Sequence, residues 1–181
     1  MAVTFGDEFK DKVALIAGGT GALGREIAAA FLAAGARVAV TYRLREEFDG
    51  LLAAAPPAQA TQLSGIATDV TDAKAAAAVV EELVAEHGRL DVLVNAVGGY
   101  AGGKNVWAEN LATYDRMMAL NLESGFALVR AVVPIMRRLY AVELFTSSSL
   151  RACSRRFFSW WGTSSGQCQL AAPGRGEYMA T

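Results

Sequence analysis

Three glycines recur at every third position where a short apolar segment gives way to a helical pattern: Gly18, Gly21 and Gly24. The apolar segment 13–16 has the pattern of a buried parallel strand, and the Ala/Leu-rich segment 22–34 has that of a helix. Glycine at such a turn lets the backbone approach a pyrophosphate, and the free N–H groups at the helix start attract anions. Because a second strand follows over Arg37–Tyr42, the glycines predict a dinucleotide site in a βαβ unit, with a purely structural turn as the alternative.

The elements that must position these glycines alternate along the first 138 residues. Strand patterns lie at 13–16, 37–42, 63–69 and 90–94, and helical patterns at 22–34, 46–55, 71–87 and 111–138. We expect Pro56 and Pro57 to end the second helix, Thr71 to cap the next one, and Gly88 to end it. The alternation predicts an α/β fold with a doubly wound parallel sheet, which binds ligands at the carboxyl ends of its strands.

Composition excludes several other classes of protein. The 181 residues are 53% hydrophobic and 19% charged with a net charge of −1, so neither disorder nor binding to nucleic acid or an anionic membrane is indicated. The longest apolar segment, 126–136, contains Arg130 and Pro134 and is too short to span a bilayer. The first 12 residues lack the apolar segment of a signal peptide, and Cys153 and Cys168 lack metal-site spacing. We therefore predict a cytoplasmic protein with no metal site.

Four motifs follow one another in order. After the glycine turn come Asp69-Val70 at the end of the third strand, the segment 95–98 (Asn-Ala-Val-Gly), and Asn121 inside an apolar helix. Together they resemble the short-chain dehydrogenase/reductase family over residues 10–138. The resemblance implies that Asp69 contacts adenine, that segment 95–98 lies beside the cofactor, and that Asn121 supports a water-linked proton relay. The alternative interpretation makes Asp69 a cap for the following helix and Asn95 a turn residue.

The resemblance implies a Rossmann-like fold that binds NAD(P). Its cofactor-binding residues are Gly18, Thr20, Gly21, Leu23, Gly24, Arg43, Asp69, Val70, Asn95, Ala96 and Gly98. Tyr42 stands where an NAD site places an acidic residue, and Arg43 and Arg45 are cations that can pair with a 2′-phosphate. NADP is therefore predicted, while Glu46 and Glu47 leave NAD open, and an exposed helical turn is the alternative for this charged run.

The strand–helix alternation ends and the composition changes at residue 139. This predicts a dinucleotide-binding region over 1–138 and a divergent tail over 139–181. Residues 137–181 contain six arginines, two glutamates and no lysine. Family members continue through a further helix, strand and substrate lid, so the resemblance implies a sheet that is incomplete at its C-terminal side. A separate module, a disordered tail, a surface-binding segment and a frameshift near residue 139 remain alternative interpretations of this region.

The catalytic residues that the resemblance requires are a Ser, a Tyr and a Lys four residues after the Tyr. Tyr140 is followed at that spacing by Leu144, Tyr178 stands three residues before the last residue, and no Lys follows Lys104. In a first alignment, residues 163–165 end the fifth strand and Tyr178 begins the catalytic helix, so Ser165 polarises the carbonyl. In a second, residues 142–149 form that strand, with Ser148 or Ser149 as the Ser, and Trp161 and Ser165 replacing Tyr and Lys.

Two functions follow from the resemblance. The first is an NAD(P)-dependent oxidoreductase that transfers hydride between the nicotinamide and a small carbonyl or alcohol substrate, using Asn121, Ser165 and Tyr178. The second is a catalytically inactive dinucleotide-binding fragment or pseudoenzyme. The full family fold is compatible with a homo-oligomer, and neither nucleic acid nor a membrane is an expected partner.

Overall fold

The computed structural model describes residues 9–138 and 143–146. Its strands are β1 (Val13–Ala17), β2 (Arg37–Tyr42), β3 (Leu63–Ala67), β4 (Val92–Asn95) and β5 (Glu143–Thr146). They form one parallel sheet in the order β3-β2-β1-β4-β5. The predicted doubly wound, Rossmann-like α/β fold is confirmed.

The helices are α1 (Ala22–Ala33), α2 (Arg45–Ala54), α3 (Pro57–Ala60), α4 (Ala73–His87), α5 (Leu111–Met118) and α6 (Ser124–Arg138). A π-helical turn, Ala119–Glu123, joins α5 to α6, so the predicted helix over 111–138 is continuous. The continuous helix Leu111–Arg138 is longer than the apolar segment 126–136, and by length and composition alone it is sufficient to cross a membrane, unlike the shorter segment considered from the sequence.

The hydrophobic core lies on both faces of the sheet, and β1 is therefore buried along its whole length. Ala14 and Ile16 belong to a cluster that includes α1 and α2 residues, and Leu15 belongs to a second cluster with residues of α4 and α6. Successive side chains of a strand point to opposite faces, so a continuously apolar strand needs cover on both. The parallel pairing of β1 with β2 and β4 places the carboxyl ends of the three strands together at one edge.

The amino-terminal edge of the sheet contains a buried charge. Asp91, which is 3% exposed, accepts a hydrogen bond from the Val13 amide at 2.9 Å and pairs with Arg89 at 2.6 Å and Lys12 at 3.6 Å. Burial acts to raise the pKa of Asp91, but the hydrogen bonds from Arg89 and Val13 and the nearby cations lower it overall. Asp91 therefore fixes the starts of β1 and β4 together, at the opposite edge from the glycine turn.

One predicted helix cap was wrong, whereas α2 ends just before Pro56 and Pro57, as predicted. Asp72, not Thr71, caps α4, with its Oδ1 accepting from the Lys74 amide at 2.8 Å. Thr71 instead donates its amide and hydroxyl to Asp69 Oδ1 at 3.0 and 2.7 Å, so that an Asx turn holds it outside the helix. Pro57 does not only end a helix: it starts α3, where proline is favoured because its missing N–H needs no partner. Gly88 ends α4 as predicted, at φ +69°.

The fifth strand lies where the second alignment of the tail places it. β5 begins five residues after α6 ends and pairs with β4 from Val92 opposite Glu143. This is the strand of the second alignment, so the first alignment was wrong in ending the fifth strand at 163–165. Ser148, Ser149, Trp161, Ser165 and Tyr178 lie outside the described residues. Their roles, and the division of the chain at residue 139, stay predictions.

Candidate functional site

A cleft opens at the carboxyl ends of the strands and collects most of the predicted cofactor-binding residues. Eight of the eleven line it: Gly18, Thr20, Gly21, Arg43, Asp69, Val70, Ala96 and Gly98. The other three, Leu23, Gly24 and Asn95, are not among the residues that line it. The cleft lies where the chain connects β1 to α1, beside the ends of β2, β3 and β4, which is where ligands bind in sheets of this topology.

The glycine turn is closed tightly against the start of α1. Gly18 has φ +73°, a conformation that favours glycine. A Cβ on Gly24 would overlap the carbonyl oxygen of Gly18 and lie 2.7 Å from the Cα of Gly19. Gly24 therefore acts from behind the cleft, by letting the helix pack on the turn.

Side chains from three elements hold this turn. The Gly18 amide donates to Thr41 Oγ1 of β2 at 3.0 Å, and Arg25 Nε of α1 donates to the Thr20 carbonyl at 2.7 Å. The Thr20 hydroxyl donates to Glu47 Oε2 of α2 at 2.9 Å. Gly21 precedes α1 without a side-chain cap, so the first-turn amides are left for an anion.

The two cations that follow β2, Arg43 and Arg45, have different surroundings. Tyr42 is 7% exposed and stacks on Phe48 with ring centroids 5.1 Å apart. The position that an acidic residue holds in an NAD site is therefore occupied by a neutral, buried ring. Arg43 follows Tyr42 and lines the cleft. Arg45 pairs instead with Asp49 at 2.9 Å, and the hydrogen bonds that its guanidinium makes to Asp49 and Tyr42 raise the pKa of that guanidinium. Arg43 is the only Lys or Arg among the described residues that line the cleft.

Asp69 lies in the turn after β3 rather than at the strand's last residue. The amide and hydroxyl of Thr71 hold the pKa of the Asp69 carboxyl below its ordinary value, with a smaller effect from Arg43. Asp69 therefore satisfies part of each interpretation made from the sequence: it organises the turn before α4, and it lines the cleft. Val70, beside it, is 3% exposed and forms an apolar part of the wall.

Asn95 ends β4 with its side chain buried. Its Oδ1 accepts from the Val97 amide at 3.1 Å, and only 1% of the residue is exposed. Asn95 thus shapes the turn, and Ala96 and Gly98 present the backbone that faces the cleft.

Asn121 links the helical stretch to the loop after β4. Its Oδ1 accepts from the Gly99 amide, and its Nδ2 donates to the Gly99 carbonyl, each at 3.0 Å. Nδ2 also donates to the Met117 carbonyl at 2.9 Å. The π-helical turn around Asn121 places Leu120 in the cleft wall.

Six residues of the cleft wall were not among the predicted cofactor-binding residues, although segment 95–98 and Glu47 entered the argument for the site: Thr41, Tyr42, Glu47, Thr68, Val97 and Leu120. Thr41 and Thr68 each stand one residue before the carboxyl end of a predicted strand, 37–42 and 63–69, and that position could have identified them. Glu47 and Leu120 enter from helices whose orientation the pattern does not specify. In the described part of the chain, no group of three or more His, Cys, Asp or Glu side chains is placed to hold a metal ion.

The parallel sheet, its order and the glycine turn define a protein of the Rossmann-like class. Residues 12–164 match the family model described as short chain dehydrogenase. The chain belongs to the short-chain dehydrogenase/reductase family.

Two relatives and one solved structure illustrate the similarity. The chain is 34% identical over 134 residues to D-threitol dehydrogenase of Mycolicibacterium smegmatis, covering 73% of this chain and 50% of the relative. It is 30% identical over 132 residues to 2-dehydro-3-deoxy-L-rhamnonate dehydrogenase (NAD(+)) of Sphingomonas sp., covering 73% and 51%. A short-chain dehydrogenase/reductase structure from Burkholderia xenovorans is 29% identical with a TM-score of 0.72, covering 78% of this chain and 55% of the other. The chain spans about half the length of the curated relatives it matches first.

Proposed function

We propose that the cleft binds a nicotinamide dinucleotide. Its pyrophosphate would lie at the glycine turn and the start of α1, its adenosine between Arg43 and Asp69, and its nicotinamide half towards Ala96 and Gly98. The observation that carries the proposal is the glycine turn, where Gly24 allows α1 to pack against Gly18 and leaves the uncapped first-turn amides at the cleft. The family uses NAD(P), and these residues fit that group.

NADP is the form we propose for this chain. Arg43 is a guanidinium at the cleft, and the neutral, stacked Tyr42 occupies the position where an NAD site has an acid that accepts the ribose hydroxyls. A guanidinium binds phosphate with two parallel hydrogen bonds, an interaction that the 2′-hydroxyl of NAD lacks. The relative from Sphingomonas is named for NAD(+), so NAD is the alternative that an experiment must test.

The reaction we propose is hydride transfer between the bound nicotinamide and a carbonyl or alcohol on a small molecule. In that reaction Asn121 would hold the loop after β4 beside the cofactor and support proton supply. Ser165 and Tyr178, which the first alignment makes the carbonyl-polarising and proton-exchanging residues, lie outside the described residues, and the second alignment, whose strand coincides with β5, has Trp161 at the Tyr position. A cytoplasmic location and a homo-oligomer belong to the same proposal.

Dinucleotide binding without turnover is the second candidate. No Lys follows Lys104 in the sequence, and Leu144 stands four residues after Tyr140, where the family's chemistry needs an ammonium. That ammonium lowers the pKa of the catalytic Tyr, so Tyr140 lacks the partner that the proton transfer needs.

Calorimetric titration of the chain with NADP⁺ and NAD⁺ tests binding and cofactor choice. Arg43→Gln removes the cation from the cleft, and we expect it to weaken NADP⁺ binding about tenfold or more while NAD⁺ changes less than about twofold. Arg37→Gln is the matched control, because Arg37 is exposed at the opposite end of β2.

Three results decide between the proposals. If neither NADP⁺ nor NAD⁺ binds, the proposal of a dinucleotide site is overturned. Equal loss of NAD⁺ and NADP⁺ affinity in the Arg43 variant would overturn the role of Arg43 as a 2′-phosphate ligand. Oxidation of NADPH, followed at 340 nm with a panel of aldehydes and ketones, would favour the oxidoreductase over the inactive binder.

A further inference from the structure

Glu47 brings a carboxylate into the cleft from the first turn of α2. It is half-buried, its Oε2 accepts the Thr20 hydroxyl at 2.9 Å, and it lines the cleft together with Arg43 and Asp69. The preceding residue, Glu46, is exposed and does not line the cleft. Two adjacent acidic residues therefore have different surroundings, although the sequence presents them as one charged run.

The bond from Thr20 fixes where the Glu47 charge lies. A glutamate side chain on a helix surface is ordinarily free to extend into water, and holding it in one conformation costs entropy. The hydroxyl of Thr20 offsets that cost with a charge-assisted hydrogen bond. Since Thr20 is only 7% exposed, the carboxylate is held against the glycine turn rather than left in solvent.

The balance of charge in the cleft follows from this placement. Among the described residues that line it, two carboxylates, Glu47 and Asp69, face one guanidinium, Arg43. An anionic group that Arg43 binds at the ribose 2′ position would be repelled by the Glu47 carboxylate, since both would be negative charges in the same cleft. A 2′-hydroxyl is neutral, so it would meet no such repulsion.

We propose that Glu47 is a cofactor-selecting residue that acts against a ribose 2′-phosphate and so reduces the NADP preference that Arg43 alone would give. The inference rests on the proposed dinucleotide site. It adds a repulsive element beside the attractive one, and the ratio of NADP⁺ to NAD⁺ affinity is the quantity it controls.

Glu47→Gln tests the inference with little disturbance of the structure. The amide keeps the shape of the side chain and an oxygen that accepts from Thr20, and it removes only the charge. We expect NADP⁺ to bind about three- to tenfold more tightly and NAD⁺ to change less than about twofold, because only the former carries the repelled charge. Glu46→Gln is the matched control, since it changes the net charge equally from outside the cleft, and it should leave both affinities unchanged.

The outcomes separate this inference from the function on which it rests. If the unaltered chain binds neither dinucleotide, the proposed function fails and the inference falls with it. If the chain binds a dinucleotide but Glu47→Gln leaves the affinity ratio where Glu46→Gln leaves it, the inference alone is overturned. If Glu47→Gln weakens both dinucleotides equally, Glu47 only supports the glycine turn, and its selecting role is likewise overturned.

Discussion

Substituting Gly24 by alanine should separate the packing of α1 from the chemistry of the cleft. The added Cβ would lie 2.7 Å from the Cα of Gly19 and 2.9 Å from the carbonyl carbon of Gly18, and it would overlap the Gly18 carbonyl oxygen. All of these are backbone atoms, which cannot rotate away as a side chain does. The start of α1 must therefore move away from the turn, or the turn must open.

The size of the effect follows from two opposing contributions. Overpacking of one methyl group costs about 1–3 kcal/mol, and contact with rigid backbone places this site near 3 kcal/mol. Alanine is about 1 kcal/mol better than glycine inside a helix, which offsets part of the loss. We expect a net decrease of about 2 kcal/mol in the free energy of unfolding, or about 4–8 °C in Tm for a chain of this size.

Gly21→Ala is the matched control for this experiment. Gly21 has φ −69° and ψ 166°, which any residue adopts, and its added Cβ meets only the Gly18 carbonyl oxygen at an ordinary 3.4 Å. It should stay within about 1 kcal/mol of the unaltered chain. Because Gly21 lines the cleft, this variant should instead lose dinucleotide affinity.

The assay is urea unfolding followed by far-ultraviolet circular dichroism, combined with calorimetric titration of NADP⁺. Equal stability of the two alanine variants would refute the assignment of Gly24 to helix packing. Full NADP⁺ affinity in Gly21→Ala would refute the position proposed for the pyrophosphate.

Two further substitutions test the buried Asp91 at the start of the strands and the hold of Asn121 on the loop after β4. The pKa of Asp91 is lowered, so its stabilising effect is complete above the ordinary value of about 3.9 and is lost as pH falls through the lowered pKa of the folded state. Asp91→Asn should cost about 2 kcal/mol at pH 7 and flatten the fall in unfolding free energy below about pH 4. An unchanged urea midpoint both at pH 7 and below about pH 4 would contradict this. Asn121→Leu removes both bonds to Gly99, so hydrogen–deuterium exchange over residues 96–104 should become about tenfold faster, whereas unchanged exchange would show that the loop is held by other contacts.

Sequence patterns located the strands well where apolar segments have clear ends. The segment 37–42 coincides with β2 because charged and glycine residues bound it. The fourth strand was predicted over 90–94 and observed at Val92–Asn95. Leu90 is fully buried although it precedes the strand. An apolar residue that is buried just before a strand cannot be distinguished by its type from one inside the strand. The apolar pattern thus predicts which residues are buried, but it does not predict at which residue the hydrogen bonding of the strand begins.

Helix starts were harder to predict because neighbouring residues compete for the same role. Thr71 and Asp72 both have side chains that cap helices. Asp69 decides between them, because it accepts the amide and hydroxyl of Thr71 and leaves Asp72 to accept from α4. The competing acceptor is two residues away, so the choice depends on turn geometry rather than on the propensity of either residue.

The charged run 43–47 shows why the cleft was only partly predictable. Its residues were interpreted from the sequence either as cofactor contacts or as an exposed helical turn, and each interpretation is consistent with the geometry of some of them. An α-helix turns once in 3.6 residues, so Glu47 lies about 200° around α2 from Arg45. Arg45 therefore pairs with Asp49 on one side, while Glu47 reaches Thr20 and the cleft on the other. Only the orientation of α2 on the sheet, set by the packing of Phe48 and Leu51, determines which side faces the glycine turn. A cation and an anion of the same run thus meet at one cleft, and the proposed choice between NADP and NAD depends on their difference.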